Sequence, residues 1–160
     1  MKPSVIDSAQ FRQLLGRFAT GVTVVTVGTP EGKPLGMTAN SLCSVSLHPP
    51  LILLCIDHEA ELHDVIVQAP EFVINVLSSP QEAVARRFSD KHEDRFEGIG
   101  YRLSPEGLVL LDGALAHVVC ERYTEYPGGD HTIVLGQVIG GTTSTGHPLL
   151  FYRGGYAALE

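Results

Sequence analysis

The sequence predicts a mainly β fold, a largely antiparallel barrel of six or seven strands with three to four short helices at its periphery. The chain has 16 Val, 8 Ile and 10 Thr in 160 residues, about a fifth of the total, and these β-branched residues favour strands. The 17 Gly and 10 Pro stand singly or in pairs between apolar runs, which is typical of hairpin turns. Strands joined by such turns outnumber strands joined by helices, which favours antiparallel over parallel pairing.

The first predicted helix begins at Asp7 or Ser8, either of which can cap it. The apolar residues that follow have the spacing i, i+3, i+4, i+7 of a helix face that lies on a core. They are Phe11, Leu14, Leu15 and Phe18.

Aliphatic and β-branched runs between turn residues predict the strands. These runs cover residues 22–27, 34–41, 51–56, 72–77, 115–126, 132–142 and 149–152. The run 51–56 is apolar on both faces, so we expect it inside the sheet. Helices are also predicted over residues 61–68 and 80–88, the latter because Ser79 can cap it and Pro80 fits its first position. Residues 89–100 are polar and predict a surface loop.

Composition and charge exclude several classes of partner. The formal net charge is −7 and no cluster of Lys or Arg occurs, so we expect no nucleic acid and no anionic membrane as partner. Cys43, Cys55 and Cys120 are far apart and odd in number, and no signal peptide precedes them, which predicts reduced thiols in a cytoplasmic protein. The longest apolar run, residues 49–56, is too short to span a bilayer. Residues 1–160 contain no linker and no repeat, which predicts one domain.

Several familiar catalytic motifs are absent from the sequence. It contains no G-x-G-x-x-G after a strand, no G-x-x-x-x-G-K-[ST] and no G-x-S-x-G. The pairs Asp57-His58 and His63-Asp64 could ligate a metal ion, but no H-E-x-x-H or H-x-H unit accompanies them. We therefore interpret them as solvated surface residues and expect no metal site.

The stretch Thr38-Ala39-Asn40-Ser41 is unusual because small and polar residues interrupt an otherwise aliphatic strand. Such residues offer donors and acceptors on short stems, and Ala lets a planar group approach the backbone. One interpretation is a wall for a heteroaromatic ring with a carbonyl–imide edge. The other is an edge strand whose polar side chains face solvent.

Two further positions allow both a structural and a functional interpretation. His131 follows the predicted hairpin turn, where it is either an ordinary turn residue or a group facing a cleft at the barrel rim. Arg87 and Phe88 end a predicted helix. They either complement the helix C-terminus or provide a phosphate contact and an aromatic wall.

A series of motifs along the chain resembles the flavin reductase family, the short-chain NAD(P)H:flavin oxidoreductases that serve two-component monooxygenases. The resemblance extends over roughly residues 11–156, and its motifs occur in the family's order. They lie at residues 18–26, 36–41, 44–51, 72–77, 87–89, 94–96, 111–116, 129–133 and 148–152.

The resemblance implies a split β-barrel that binds FMN or FAD at a homodimer interface and holds NADH or NADPH in a groove over the flavin. It implies a reaction in which hydride passes from NAD(P)H to the flavin, with reduced flavin going to a partner monooxygenase. One alternative is a flavin-binding electron carrier or sensor with little NAD(P)H activity. A third interpretation is a pyridoxamine-phosphate oxidase, because split barrels of similar outline also house these enzymes.

The resemblance also assigns roles to individual residues. His131 corresponds to the family histidine at the nicotinamide-binding face. Contacts along the flavin ring and ribityl chain are implied for Thr38, Ala39, Asn40 and Ser41. Ser44 and the segment from Asp57 are implied to lie near the ribityl phosphate, and Arg87 and Phe88 near the other side of the flavin. The segment His58-Glu59-Ala60-Glu61 departs from many relatives, which have hydroxyl or Lys side chains there.

Overall fold

The computed structural model describes residues 5–91 and 94–159, which contain three α-helices and twelve strands. The helices are α1 (Ser8–Leu15), α2 (His63–Gln68) and α3 (Glu82–Ser89), and a 3-10 turn (Ser79–Gln81) leads into α3. The strands are β1 (Thr20–Gly21), β2 (Thr23–Gly28), β3 (Pro34–Ala39), β4 (Cys43–Leu47), β5 (Pro50–Asp57), β6 (Glu71–Val76), β7 (Tyr101–Leu103), β8 (Val109–Leu111), β9 (Ala116–Gly128), β10 (His131–Thr143), β11 (Leu149–Tyr152) and β12 (Gly155–Ala158).

The predicted mainly β, antiparallel fold is confirmed, but it has more strands than the six or seven expected. Five strands are additional: β1, β4, β7, β8 and β12. They have two to five residues each, too few for an alternating pattern to stand out in the sequence. Helix α2 begins at His63 rather than at residue 61, because two turns closed at Ala60 and His63 occupy the residues before it.

Seven strands form one antiparallel sheet in the order β3-β2-β6-β9-β10-β5-β4. Strands that are distant in this order share one core, because Val25 of β2, Phe72 of β6 and Leu54 of β5 belong to the same buried cluster. The sheet therefore curls around its interior. Strand β5 lies inside the sheet, between β10 and β4, as its two-faced apolar pattern predicts. In the described residues no helix is long and apolar enough to cross a membrane.

The long hairpin of β9 and β10 carries His131 to one end of the sheet. Gly129 adopts a φ of 74° in the turn, a conformation that glycine reaches without steric cost. His131 is the first residue of β10, where it pairs with Gly128 of β9 on one side and Asp57 of β5 on the other. The register of three neighbouring strands thus determines where His131 lies.

Helix α1 does not lie on the core of its own chain, so this expectation was wrong. None of its residues is buried, and Phe11, Leu14 and Leu15 of the stripe remain 54%, 61% and 52% exposed. The helix ends at Leu15 with Gly16 as its C-cap, so Phe18, the last residue of the stripe, lies beyond α1 and is 74% exposed. Helical spacing shows which residues share a face, but it does not show what that face contacts.

A buried polar network joins strand β8 to the barrel. The side-chain amide of Asn75 donates to the carbonyl of Val24 and to the hydroxyl of Thr26, both at 2.9 Å, and its oxygen accepts from the backbone N–H of Leu111 at 2.8 Å. Nε2 of His117 donates to the carbonyl of Leu111 at 2.8 Å. Asn75 is fully buried, so its three bonds leave none of these groups unpaired in an apolar interior.

Replacing Asn75 by Ala should destabilise the fold by about 2–6 kcal/mol, because a buried donor and a buried acceptor are each left unpaired at about 1–3 kcal/mol. Urea unfolding measures the difference. Asn40→Ala, at an exposed asparagine, is the matched control and should change stability by less than about 0.5 kcal/mol. A loss below about 1 kcal/mol for Asn75→Ala would contradict the proposed importance of the network.

Candidate functional site

Two cavities are lined in part by residues 38–41, the polar segment at the end of β3. One cavity, of about 200 Å³, is called the charged pocket. It is lined by Thr38, Glu59, Glu61, Ser89, Lys91 and Arg95, together with Met37, Ala60, Leu62 and Phe88. The other, of about 620 Å³, is called the aromatic pocket. It is lined by Phe11, Phe18, Phe151, Thr20, Asn40 and Ser41, together with Arg12, Leu15, Gly16, Arg153 and Gly154.

The hydroxyl groups of the predicted wall have partners within the protein. The Thr38 hydroxyl donates to the Ala85 carbonyl at 2.6 Å and so joins β3 to α3. The Ser41 hydroxyl donates to the carbonyl of Cys55 at 3.1 Å and accepts from its N–H at 3.0 Å. Asn40 is exposed, so its side chain is the group of this segment most open to a ligand. Strand β3 is an edge strand of the seven-stranded sheet, as the second interpretation of the pattern expects, while the wall for a heteroaromatic ring stays a prediction.

Phe88 is buried rather than forming an open aromatic wall. It is 1% exposed, belongs to the second core cluster and packs edge-on against Phe96, with ring centroids 4.9 Å apart. Arg87, its neighbour, lines neither pocket and donates to the carbonyl of Glu97 at 3.1 Å. The structure thus places Phe88 at the base of the charged pocket and directs Arg87 to the chain beyond α3.

Ser44 and Asp57 lie outside both pockets. Ser44 is an exposed residue of edge strand β4, where it pairs with Ile52. The carboxylate of Asp57 accepts from the N–H of Glu59 at 2.9 Å and thereby shapes the turn after β5. Asp57 connects the charged pocket to His131. The turn that Asp57 shapes leads into the charged pocket, and Asp57 itself pairs with His131 of β10.

Histidines and carboxylates gather around the end of the β9–β10 hairpin. Nδ1 of His131 lies 2.7 Å from a carboxylate oxygen of Asp130. This hydrogen bond, and then the attraction between the two side chains, lowers the pKa of Asp130 below its ordinary value. Asp130 is therefore ionised at neutral pH and orients the His131 ring, which leaves Nε2 for a second partner.

His63 occupies the adjoining position and links α2 to β10. Its Nε2 lies 2.8 Å from the hydroxyl of Thr132, its Nδ1 lies 2.8 Å from Asp64, and its ring packs edge-on against His58. Within residues 5–91 and 94–159, no three His, Cys, Asp or Glu side chains come together as a metal site would require.

Comparison with known proteins identifies the family. A model described as a flavin reductase like domain matches residues 15–160. The chain belongs to the flavin reductase family. The resemblance inferred from the motifs is thus confirmed over nearly its whole predicted extent.

Three relatives illustrate what this flavin reductase is similar to. A solved structure of the NADH:FAD oxidoreductase of Streptomyces globisporus C-1027, in complex with NAD and FAD fragments, superposes with a TM-score of 0.91 at 42% identity, covering 99% of this chain and 98% of that one. An FMN reductase (NADH) of Agrobacterium fabrum is 40% identical over 96% of this chain and 87% of its own length. The reductase subunit of a flavin-dependent monooxygenase of Rhodococcus jostii is 38% identical over 97% and 80%, respectively.

Sequence reasoning about this flavin reductase missed the cations of the charged pocket. Lys91 and Arg95 lie in the stretch that the sequence predicts as an irregular surface loop, and no spacing rule connects them to Thr38. The Asp94-Arg95-Phe96 motif was a signal of family membership, but it assigned no role to Arg95. Only the fold of residues 94–100 against the turn before α2 and against β3 brings this guanidinium to the pocket.

Proposed function

We propose that this chain is a flavin reductase that transfers a hydride from NADH or NADPH to FMN or FAD. The observation that carries the proposal is the pair of unlike pockets on one polar segment, residues 38–41. A flavin mononucleotide has the same division, with a planar apolar ring at one end and a charged phosphate at the other. The similarity to enzymes described as acting with NADH on FAD or FMN supports the same reaction here.

The side chains of the aromatic pocket suit a flavin ring. Phe11, Phe18 and Phe151 provide apolar walls, and the exposed amide of Asn40 provides donors and an acceptor for an imide edge. The hydroxyl of Thr20, another lining residue, is buried and lacks a hydrogen-bond partner among the described residues. A buried hydroxyl without a partner is costly, so a ligand or second subunit that bonds to it would stabilise the site.

Within this proposal the protein binds and orients, while the nicotinamide and flavin rings supply the redox chemistry. The aromatic pocket would hold one ring and exclude water from its face. His131, held by Asp130, would orient the nicotinamide cofactor through Nε2, because hydride transfer requires no general base. The role of the protein is thus to align two ligands rather than to transfer protons.

Enzymatic reduction and simple flavin carriage are separated by one assay. Purified protein mixed with NADH and excess FMN under air should oxidise NADH catalytically, with absorbance at the NADH band falling far beyond one equivalent per chain. Repeating the assay with NADPH in place of NADH, or with FAD in place of FMN, shows which nicotinamide cofactor and which flavin support the faster reaction. NADH loss that stops near one equivalent would favour the electron-carrier alternative and contradict the proposed function.

His131→Ala should raise the KM for NADH by about threefold to tenfold, the equivalent of one lost hydrogen bond, and should leave flavin affinity unchanged. A role in aligning the rings would lower kcat as well. Steady-state kinetics with both substrates varied measures each effect. His147→Ala, at another exposed histidine, is the matched control. Wild-type kinetics for His131→Ala would identify His131 as a turn residue only.

We also propose a homodimer whose second subunit covers the aromatic pocket. The uncovered stripe on α1 and just beyond it supports this proposal, because Phe11, Leu15 and Phe18 line the pocket and are more than half exposed in the single chain. Contiguous exposed apolar surface of this kind marks an association surface. Thr20, whose buried hydroxyl has no hydrogen-bond partner in the described part of the chain, lines the same pocket.

Light scattering at micromolar concentration should give twice the mass of the chain. Phe18→Asp, which puts a charge on the stripe, should shift the protein toward monomer and weaken flavin binding in parallel. Leu103→Asp is the control, because Leu103 is also about half exposed but lies on the β7–β8 hairpin. A wild-type monomer would rule out the dimer.

The remaining features of the proposal concern the setting of the enzyme. We propose that residues 1–160 act as one domain and that reduced flavin passes to a partner monooxygenase, as the description of the Rhodococcus jostii relative as a reductase subunit supports. A cytoplasmic location is consistent with Cys43, Cys55 and Cys120, which are all free thiols.

A further inference from the structure

The charged pocket contains a cation that is already paired with a carboxylate. One terminal nitrogen of Arg95 lies 3.0 Å from Glu61 Oε2, and its Nε donates to the carbonyl of Asp90 at 3.0 Å. The Arg95 side chain is 12% exposed, whereas that of Glu61 is 61% exposed. The guanidinium is therefore a fixed part of the pocket, while the carboxylate can move away into solvent.

The hydroxyl groups of the charged pocket donate to backbone carbonyls of the protein. Thr38 donates to the carbonyl of Ala85 at 2.6 Å, and Ser89 donates to the carbonyl of Arg86 at 2.9 Å. Both acceptors belong to α3, so these two bonds also stabilise the helix. A phosphate entering the pocket must then be bound chiefly by its cations, Lys91 and Arg95.

The acidic residues of the pocket oppose a phosphate. Glu59 and Glu61 both line it, and a phosphate monoester carries a charge of about −1.5 to −2 at pH 7. The ion pair gives Arg95 a partner in the absence of ligand, and a phosphate must replace that partner. Because the phosphate replaces the carboxylate of Glu61 at Arg95, the binding free energy gained from this contact is small.

We propose that Arg95 binds the flavin phosphate and that Glu61 competes with the phosphate for it, so that Glu61 sets how readily the flavin dissociates. This inference rests on the proposed function, since it takes the ligand to be a flavin. It assigns to Glu61 a role in specificity, because the competition affects only flavins that carry a phosphate. A flavin held in this way leaves easily, which suits an enzyme that releases reduced flavin as its product.

The test compares FMN with riboflavin, which has the same ring and ribityl chain but no phosphate. Dissociation constants are measured by fluorescence titration, without NADH, for the wild type and for Glu61→Gln. Glu61→Gln should tighten FMN by about twofold to fivefold, the range expected when one exposed charge pair is removed. Its affinity for riboflavin should stay within about twofold of the wild type.

Glu82→Gln is the matched control. Glu82 also forms an exposed ion pair with an arginine, Arg86 at 2.6 Å, and it lies on α3 outside the residues that line the charged pocket. The substitution changes the net charge of the chain by the same amount. It should leave the affinities for both flavins unchanged, which separates local competition at Arg95 from the general effect of charge.

Arg95→Gln completes a double-mutant cycle. Alone it should weaken FMN by about tenfold and leave riboflavin unaffected, since a charge-assisted bond to the phosphate is lost. In the Arg95→Gln protein, the further change Glu61→Gln should have a smaller effect on FMN than in the wild type. Unchanged riboflavin binding shows in each variant that the fold and the ring site are intact.

The outcomes distinguish this inference from the function on which it rests. Equal effects of Glu61→Gln on FMN and riboflavin, or no effect on FMN, would overturn the competition while leaving the flavin site standing. Equal effects of Glu61→Gln in the wild-type and Arg95→Gln backgrounds would show that Glu61 does not act through Arg95. A wild-type protein that binds neither flavin would overturn the proposed function and this inference together.

Discussion

The buried amide of Asn75 is the contact on which the remaining structure depends. Two of its hydrogen bonds hold it to β2 and the third fixes Leu111, and the next residue, Asp112, positions two other parts of the chain. The carbonyl of Asp112 accepts from Gln81 at the start of α3, and its N–H donates to the carbonyl of Gly100 at the end of the loop after α3. Aliphatic packing is non-directional, so these directional bonds decide where α3 and that loop lie on the barrel. The charged pocket is formed between them.

The two pockets arise from different physical causes. The aromatic pocket exists because the apolar stripe of α1 is not buried within its own chain and faces the end of β3. The charged pocket exists because a turn rich in carboxylates and a loop that carries two cations approach the same strand. Residues 38–41 take part in both pockets, and their hydroxyls join β3 to α3 and to β5. The same segment therefore maintains the fold and separates an apolar binding surface from a charged one.

The sequence predicted best those features that depend on neighbouring residues. The β9–β10 hairpin followed from two β-rich runs around a Gly-Gly-Asp turn, and the helix now called α3 followed from its Ser and Pro start signals, shifted by a 3-10 turn. Phe88 could not be predicted in this way, because its depth depends on Phe96 in a loop with no periodic pattern. The position of α1 was mispredicted for a related reason, since an apolar face is equally consistent with a core and with a second subunit.

By itself the sequence determined the antiparallel β class, the order of the family motifs and the polar interruption at residues 38–41, because each of these is written in local composition and spacing. Only the tertiary structure decided which charges share a pocket. Glu61 and Arg95 are 34 positions apart and form an ion pair only after the 58–62 turns and the segment 94–100 are folded onto the same strand. Electrostatic attraction depends on distance in space, and neither composition nor periodicity encodes that distance between residues far apart along the chain.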